Sequence, residues 1–270
     1  MTHHQLPGVE TDETHGDLPT SGARATTDRG TLVLLRHGRT QWNDESRFTG
    51  WADPSLSELG TREAAWAGEV IASCGVRVSV VIASFASRAL QTATFAMPVT
   101  SAPDRRRDWR LNERHFGLLQ GLDRSAAIDR YGKASVRQWR RDRDAVPPAI
   151  PKDDARHPHH DPRYAGVAPA ELPGAESKAD HERRIRACWL DTIDPLLVNG
   201  VAVLVVAHCH SLRALARLAA TRDVDESPTL FAATGSVAIV TGSGALRELP
   251  TLEGPSAEAP RGRTAANRVQ

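Results

Sequence analysis

Two apolar runs in this chain stop abruptly at a histidine. Thr31-Leu-Val-Leu-Leu35 gives way to Arg36-His37-Gly38, and Val201 to Ala207 gives way to His208, with Arg213 five residues on. An imidazole can take up a phosphoryl group covalently and so split one hard step into two. Guanidinium groups suit the equatorial oxygens of the phosphorus centre in transfer. Any one histidine among the eleven in the chain is by default a satisfied loop or core residue. Two that each close a strand depart from that default and fit phosphoryl transfer.

A second concentration of charge lies between Asp104 and Arg143. Twelve Arg or Lys stand there against six acidic residues. Most belong on a solvated helical face, yet such an excess can also draw a small polyanion toward a site. Aromatic side chains are not interleaved as single-stranded nucleic-acid platforms require, and the whole chain carries 34 basic and 33 acidic residues for a net charge of +1. A small phosphorylated or carboxylated metabolite is the expected partner, not a nucleic acid.

The residues around these histidines resemble a known family. Leu35-Arg36-His37-Gly38-Arg39-Thr40-Gln41-Trp42-Asn43 looks like the RHG signature of the histidine phosphatase superfamily. Further segments narrow the resemblance to its cofactor-dependent phosphoglycerate mutases, in the same order over about residues 31–250. They are Arg47 to Asp53, Leu56 to Gly60, Ser87-Arg88-Ala89 with Gln91-Thr92, Trp109 to Gly117, Trp139-Arg140-Arg141, Asp161 to Tyr164, Glu176-Ser177 and Ala207 to Arg213. The resemblance implies interconversion of 2- and 3-phosphoglycerate through a phosphohistidine primed by 2,3-bisphosphoglycerate. It implies His37 as nucleophile, Arg36, Arg88 and His208 around the transferred group, and Glu113 as general acid and base. Thr40, Asn43, Thr49 and Gly50 would hydrogen-bond phosphate and substrate. Arg124, Arg140 and Arg141 would hold the carboxylate and a second phosphate, with Arg114, His115, Phe116, Cys209 and His210 completing the substrate shell. No metal is implied, since arginines supply the positive charge, and a dimer or tetramer follows from the resemblance alone.

Departures from the family pattern fall in the substrate shell. Cys209-His210 stands where the mutases carry Gly-Asn, Arg124 replaces a lysine, Phe116 a tyrosine and Arg39 a glutamate. A guanidinium fork is not a compact ammonium, and histidine can gain charge near neutral pH. The alternatives are therefore a histidine phosphatase hydrolysing a small phosphomonoester, with water as final acceptor, and a catalytically impaired protein that binds phospho-metabolites.

The elements that must position these residues alternate. A strand over 31–35 precedes a helix capped by Ser57 and stopped at Gly75, then a strand over 78–83 and a helix over 87–97. A helix over 177–197, a strand over 201–207, a helix over 211–220 and a last strand over 237–240 follow. This pattern predicts a three-layer α/β fold with a mostly parallel sheet flanked by helices, and ligands then bind beyond the carboxyl ends of the strands. Residues 31–250 form the expected catalytic domain, with a basic insertion of short helices and loops over about 103–173 capping the site. Residues 1–30 read as a disordered tail and 251–270 as a mobile one. Three scattered cysteines exclude a disulfide framework, and no apolar run approaches a membrane span of ~20 residues. With no signal-peptide pattern, a cytoplasmic protein is expected. His208-Cys209-His210 is not expected to bind metal, His157, His159 and His160 read as a solvated turn, Cys188 as a core residue, and Gly242-Ser-Gly244 as a turn.

Overall fold

A computed structural model describes residues 29–97, 104–221 and 229–249. The expected tails, 1–30 and 251–270, lie outside these residues except for Arg29 and Gly30. The fold is three-layered α/β, as expected.

Four strands form the parallel heart of one sheet: β1 (Leu32–Arg36), β2 (Val80–Ala83), β3 (Asp104–Arg107) and β4 (Val203–Ala207). Two antiparallel strands, β5 (Val237–Val240) and β6 (Leu246–Glu248), complete it in the order β3-β2-β4-β1-β5-β6. β1 and β4 are neighbours in register, Leu32 opposite Val203 and Arg36 opposite Ala207. Both are apolar without interruption because both sheet faces are covered. Leu32, Leu34, Val203, Val205 and Ala207 pack into one core; Val33, Leu35, Leu204 and Val206 pack into the other.

The second core is closed by α2 (Glu58–Ser73) and α3 (Ser87–Ala96). Ser57 caps α2 by accepting from the Gly60 amide, and Gly75 follows its end at φ +69°. The first core is closed by α6 (Lys178–Cys188) and α8 (Cys209–Ala219), and Cys188 is fully buried in it. Shorter helices are α1 (Gln41–Asp44), α4 (Arg124–Tyr131), α5 (Lys133–Arg141) and α7 (Asp194–Val198).

Several expectations are corrected. The span from 103 does not open with loops: β3 lies parallel to β2 as the sheet edge, each of its four residues exposed, its charged side chains masking it in the sequence. The single helix expected over 177–197 contains a wide turn at Trp189–Ile193, where the Asp194 amide bonds the Trp189 carbonyl. Pro195 follows at once and has no N–H to continue the normal ladder. α8 begins at Cys209, two residues early, because His208 is its N-cap. A strand, β6, follows the one expected to be last, the Gly242-Ser-Gly244 turn joining them. His157 is buried rather than solvated, while His159 and His160 are exposed. Among the described residues no helix is long and apolar enough to cross a membrane.

Candidate active site

His37 and His208 each stand one residue beyond paired strand ends, so the β1–β4 ladder sets their approach. The His37 amide donates to the Ala207 carbonyl at 3.0 Å, and the two imidazole centroids are 5.0 Å apart. His37 Nδ1 lies 2.7 Å from the Gly38 carbonyl. A carbonyl can only accept, so Nδ1 carries the proton and Nε2 keeps its lone pair. Gly38 is required for a packing reason: a Cβ there would stand 2.2 Å from the Gly60 carbonyl oxygen.

Burial, then the charges of Arg88 and Arg36, push the His37 imidazole well below its ordinary range. The ring is thus neutral at pH 7, the state a nucleophile needs. Burial, Arg88 and His37 do the same to His208. Its Nε2 pairs with Ser84 Oγ at 2.8 Å, a residue at the end of β2.

Three buried nitrogens here have no protein partner: Arg36 Nε, Arg88 Nε and His208 Nδ1. Other nitrogens of both guanidiniums are fastened to backbone. Arg88 Nη1 and Nη2 donate to the Ala52 and Gly50 carbonyls at 2.9 Å, and Arg36 Nη1 donates to the carbonyls of Phe231, at 2.8 Å, and Ala232. Gly50 holds φ +53°, and a Cβ on it would press on the Gln120 side chain at 2.2 Å. Burial lowers Arg88 to about 10, so it stays cationic. Buried donors without acceptors are costly and call for one. An anion with several oxygens in front of His37 Nε2 supplies it.

Glu113 closes the other side. Burial alone would raise its pKa, but the His210 imidazole, by charge and by hydrogen bond, outweighs that and holds the carboxyl well below the usual carboxylate range. His210 Nδ1 is 3.0 Å from Glu113 Oε1, and the Arg114 amide donates to the same oxygen at 2.8 Å. The backbone carrying Glu113 is clamped from α6. Buried Arg184 forks onto Glu176 at 2.7–2.8 Å and donates to the carbonyls of Arg110, Asn112 and Glu113. Trp51 Nε1 donates to the Glu113 carbonyl at 2.7 Å.

One cavity of about 510 Å³ gathers most of the expected residues: Arg36, His37, Asn43, Thr49, Gly50, Arg88, Glu113, Arg114, Phe116, Arg124, Arg140, His208, Cys209 and His210. Three do not line it. Thr40 is buried and spends its hydroxyl capping α1 in a reciprocal pair with Asn43. His115 is buried against Trp51, its Nδ1 accepting from the Gly117 amide, and burial drops it to about 3. Arg141 is exposed at the end of α5, its carbonyl accepting from Lys178.

The basic wall also thins. Arg105, Arg106 and Arg107 sit on β3, and Arg110 is tied to Asp108 and Asp191. From that stretch Arg114, Arg124 and Arg140 reach the cavity. Arg114 is 1% exposed, its Nε and Nη1 have no protein partner, and its guanidinium lies 4.7 Å over the Phe116 ring. The lining also includes Trp42, Ser46, Arg47, Phe48, Arg213 and Ala232. Trp42, Arg47, Phe48 and Arg213 stand in the quoted motifs without an expected role. Nothing in the sequence around Ala232 marks it. Among the described residues no group of three or more His, Cys, Asp or Glu could hold a metal ion.

The family model for the histidine phosphatase superfamily (branch 1) matches residues 32–252. Among solved structures, a mycobacterial glucosyl-3-phosphoglycerate phosphatase in complex with VO3 is 28% identical, over 81% of this chain and 96% of that one, with a TM-score of 0.58. The Bacillus stearothermophilus protein YhfR is 26% identical over 81% and 95% of the two chains, with the same TM-score of 0.58. An alpha-ribazole phosphatase from Shigella flexneri, 18% identical over 81% and 95%, shares the fold at a TM-score of 0.61.

Proposed function

The chain belongs to the histidine phosphatase superfamily, a family of phosphoryl-transfer enzymes, and we propose that it is a phosphatase acting on a small phosphomonoester through a phosphohistidine at His37. The observation that carries this reading is the neutral His37 with its Nε2 lone pair free, beside the unpartnered nitrogens of Arg36, Arg88 and His208. His37 Nε2 attacks phosphorus as the ester P–O bond breaks, and the Glu113 side delivers a proton to the leaving oxygen. Water then takes the phosphoryl group from His37, with Glu113 accepting its proton.

The phosphatase alternative is better supported than mutase action. The 28% identical relative is a phosphatase by name. A mutase must retain a bisphosphorylated intermediate while it turns. The cradle at His37 would fit one phosphate of 2,3-bisphosphoglycerate, but Arg141 lies outside the cavity and His210 is tied to Glu113. The set expected to hold the second phosphate is incomplete, so no step is derived through that compound. Arg114, Arg124 and Arg140 favour a substrate with a second anionic group. Glucosyl-3-phosphoglycerate, the compound in the mycobacterial relative's name, carries a carboxylate as well as a phosphate.

The test incubates the protein with 3-phosphoglycerate and, separately, glucosyl-3-phosphoglycerate, following free phosphate and 2-phosphoglycerate together. Phosphate release, with an acid-labile phospho-label that H37A cannot acquire, is the expected result. Formation of 2-phosphoglycerate stimulated by 2,3-bisphosphoglycerate, with little phosphate, would overturn it in favour of the mutase.

A further inference from the structure

Glu113 poses a problem for its own role. A carboxyl held well below the usual range is ionised at neutral pH, and an ionised carboxylate has no proton to give a leaving group. The neighbours of the pair narrow the source. His208 sits behind the carboxylate at the end of β4, and His181 approaches from α6 through Ser211, its Nε2 3.1 Å from Ser211 Oγ. Both are pushed well below the ordinary histidine range, first by burial, and are neutral. Arg36, Arg88 and Arg114 are cations that do not release protons near neutrality, Arg213 lines the same cavity, and burial pushes the Cys209 thiol up. Arg124 and Arg140 face the same cavity from the insertion.

His210 differs from all of these. Its side chain is 40% exposed, in reach of bulk water, yet Nδ1 is 3.0 Å from Glu113 Oε1. The ring is held edge-on to Phe116, with centroids 6.1 Å apart, and its own amide approaches Glu113 Oε2 at 3.4 Å. Its position on the first turn of α8 is set by His208, so the nucleophile's neighbour and the proton store share one helix start.

We infer that His210 is a positioning residue that stores the leaving-group proton and passes it through Glu113, on the geometry of the Nδ1–Oε1 contact. This rests on the phosphatase reading. As His37 Nε2 forms its bond to phosphorus and the ester P–O bond breaks, the electron pair stays on the leaving oxygen. His210 Nδ1 gives up its proton to Glu113, which passes it to that oxygen. In the second half, water's oxygen bonds phosphorus, the His37 N–P bond breaks, and water's proton returns through Glu113 to His210. No oxidant or other reactant is needed. Asparagine at this position could hold Glu113 by a hydrogen bond but could not carry a proton.

The test compares wild type with H210N on two esters: p-nitrophenyl phosphate, whose phenolate leaves without a proton, and glycerol 3-phosphate, whose alkoxide needs one. H210N is expected to lose about 10- to 100-fold more kcat/KM on the alkyl ester than on the aryl ester. It should also move the high-pH limb of the alkyl-ester profile to lower pH by at least one unit. Equal losses on the two esters, or an unmoved limb, would overturn the inference. The NMR nitrogen shift of His210 Nδ1, compared in wild type and E113Q, needs no turnover. The 3.0 Å contact with the carboxylate predicts a moved Nδ1 resonance in E113Q, and an unchanged one would also overturn the inference. If wild type hydrolyses neither ester while the Nδ1 resonance does move, it is the phosphatase reading that fails.

Discussion

The two ends of the cavity are built on different terms. At the phosphate end, His37, His208 and Arg88 are 5%, 0% and 1% exposed and are fixed by strand ends and backbone carbonyls. At the other end Arg124 and Arg140 stand exposed on short helices of the insertion, and only Arg114 is buried. Chemistry is thus anchored to the sheet, whereas recognition hangs on surface helices that can change without disturbing it. Of the substitutions relative to the mutases, Arg124 and Phe116 line the cavity from the insertion, whereas Cys209 and His210 follow His208 at the start of α8, next to Arg36 and Glu113. Reaction class is the conservative property of such a site, and substrate the labile one.

The sharpest blow to this contrast would be a phosphate end that tolerates change. H37A is expected to lower kcat by about 10⁴-fold or more, since a removed nucleophile leaves only binding and electrostatic help. Phosphate release under single-turnover conditions checks it, and a loss below 10-fold would mean that the anchored end is not the reacting end. E113Q should cost about 10²–10⁴-fold in kcat on alkyl phosphates. The clamp beneath Glu113 adds a structural version. Arg184→Met strands the buried Glu176 carboxylate and should destabilise the fold by about 3–5 kcal/mol, read by denaturant unfolding.

A gentler probe is pH. His37, His208, His181 and His115 are held neutral below the ordinary histidine range, each by burial first. The unfolded chain binds those protons once pH falls below ~6.5 and the folded chain does not, so stability is complete above that value and declines beneath it. Each group contributes a slope of up to about 1.4 kcal/mol per pH unit. Urea midpoints between pH 7 and 5 should fall accordingly, and a flat profile would show that the anchored end is not held neutral. The smallest effect belongs to the exposed end. R140A should raise KM for a substrate with a second anion by about 5-fold, the worth of ~1 kcal/mol for an exposed charge. R141A, outside the cavity, should change KM less than 2-fold.

What could be read from the sequence follows the same division. β1, β4 and their terminal histidines were legible because strands buried on both faces are unbroken apolar runs, and Ser57 and Gly75 mark their helix ends by side chain and φ. β3 was not, because an exposed edge strand made of Asp-Arg-Arg-Arg carries no apolar signal. Local motifs pointed to Glu113 and Glu176, but not to Arg184, which joins Glu176 to the carbonyls of Trp109, Arg110, Asn112 and Glu113 far away in the chain. The carbonyls of Phe231 and Ala232 that hold Arg36 belong to a loop with no motif of its own. His115 and Thr40 carried family positions, yet His115 Nδ1 is spent on the Gly117 amide and the Thr40 hydroxyl on the α1 cap. Residue type was readable there; direction was not.

The pairing of β1 with β4 has a consequence for synthesis. The two imidazoles come from opposite ends of the described chain and meet only when these strands join in register. An emerging polypeptide exposes His37 well before His208 and cannot assemble the pocket until residue 208 and the helix after it have left the ribosome. A product truncated before residue 208 would therefore carry His37 without the second imidazole, and the pairing of Arg36 with Ala207 is the step that brings the two rings together.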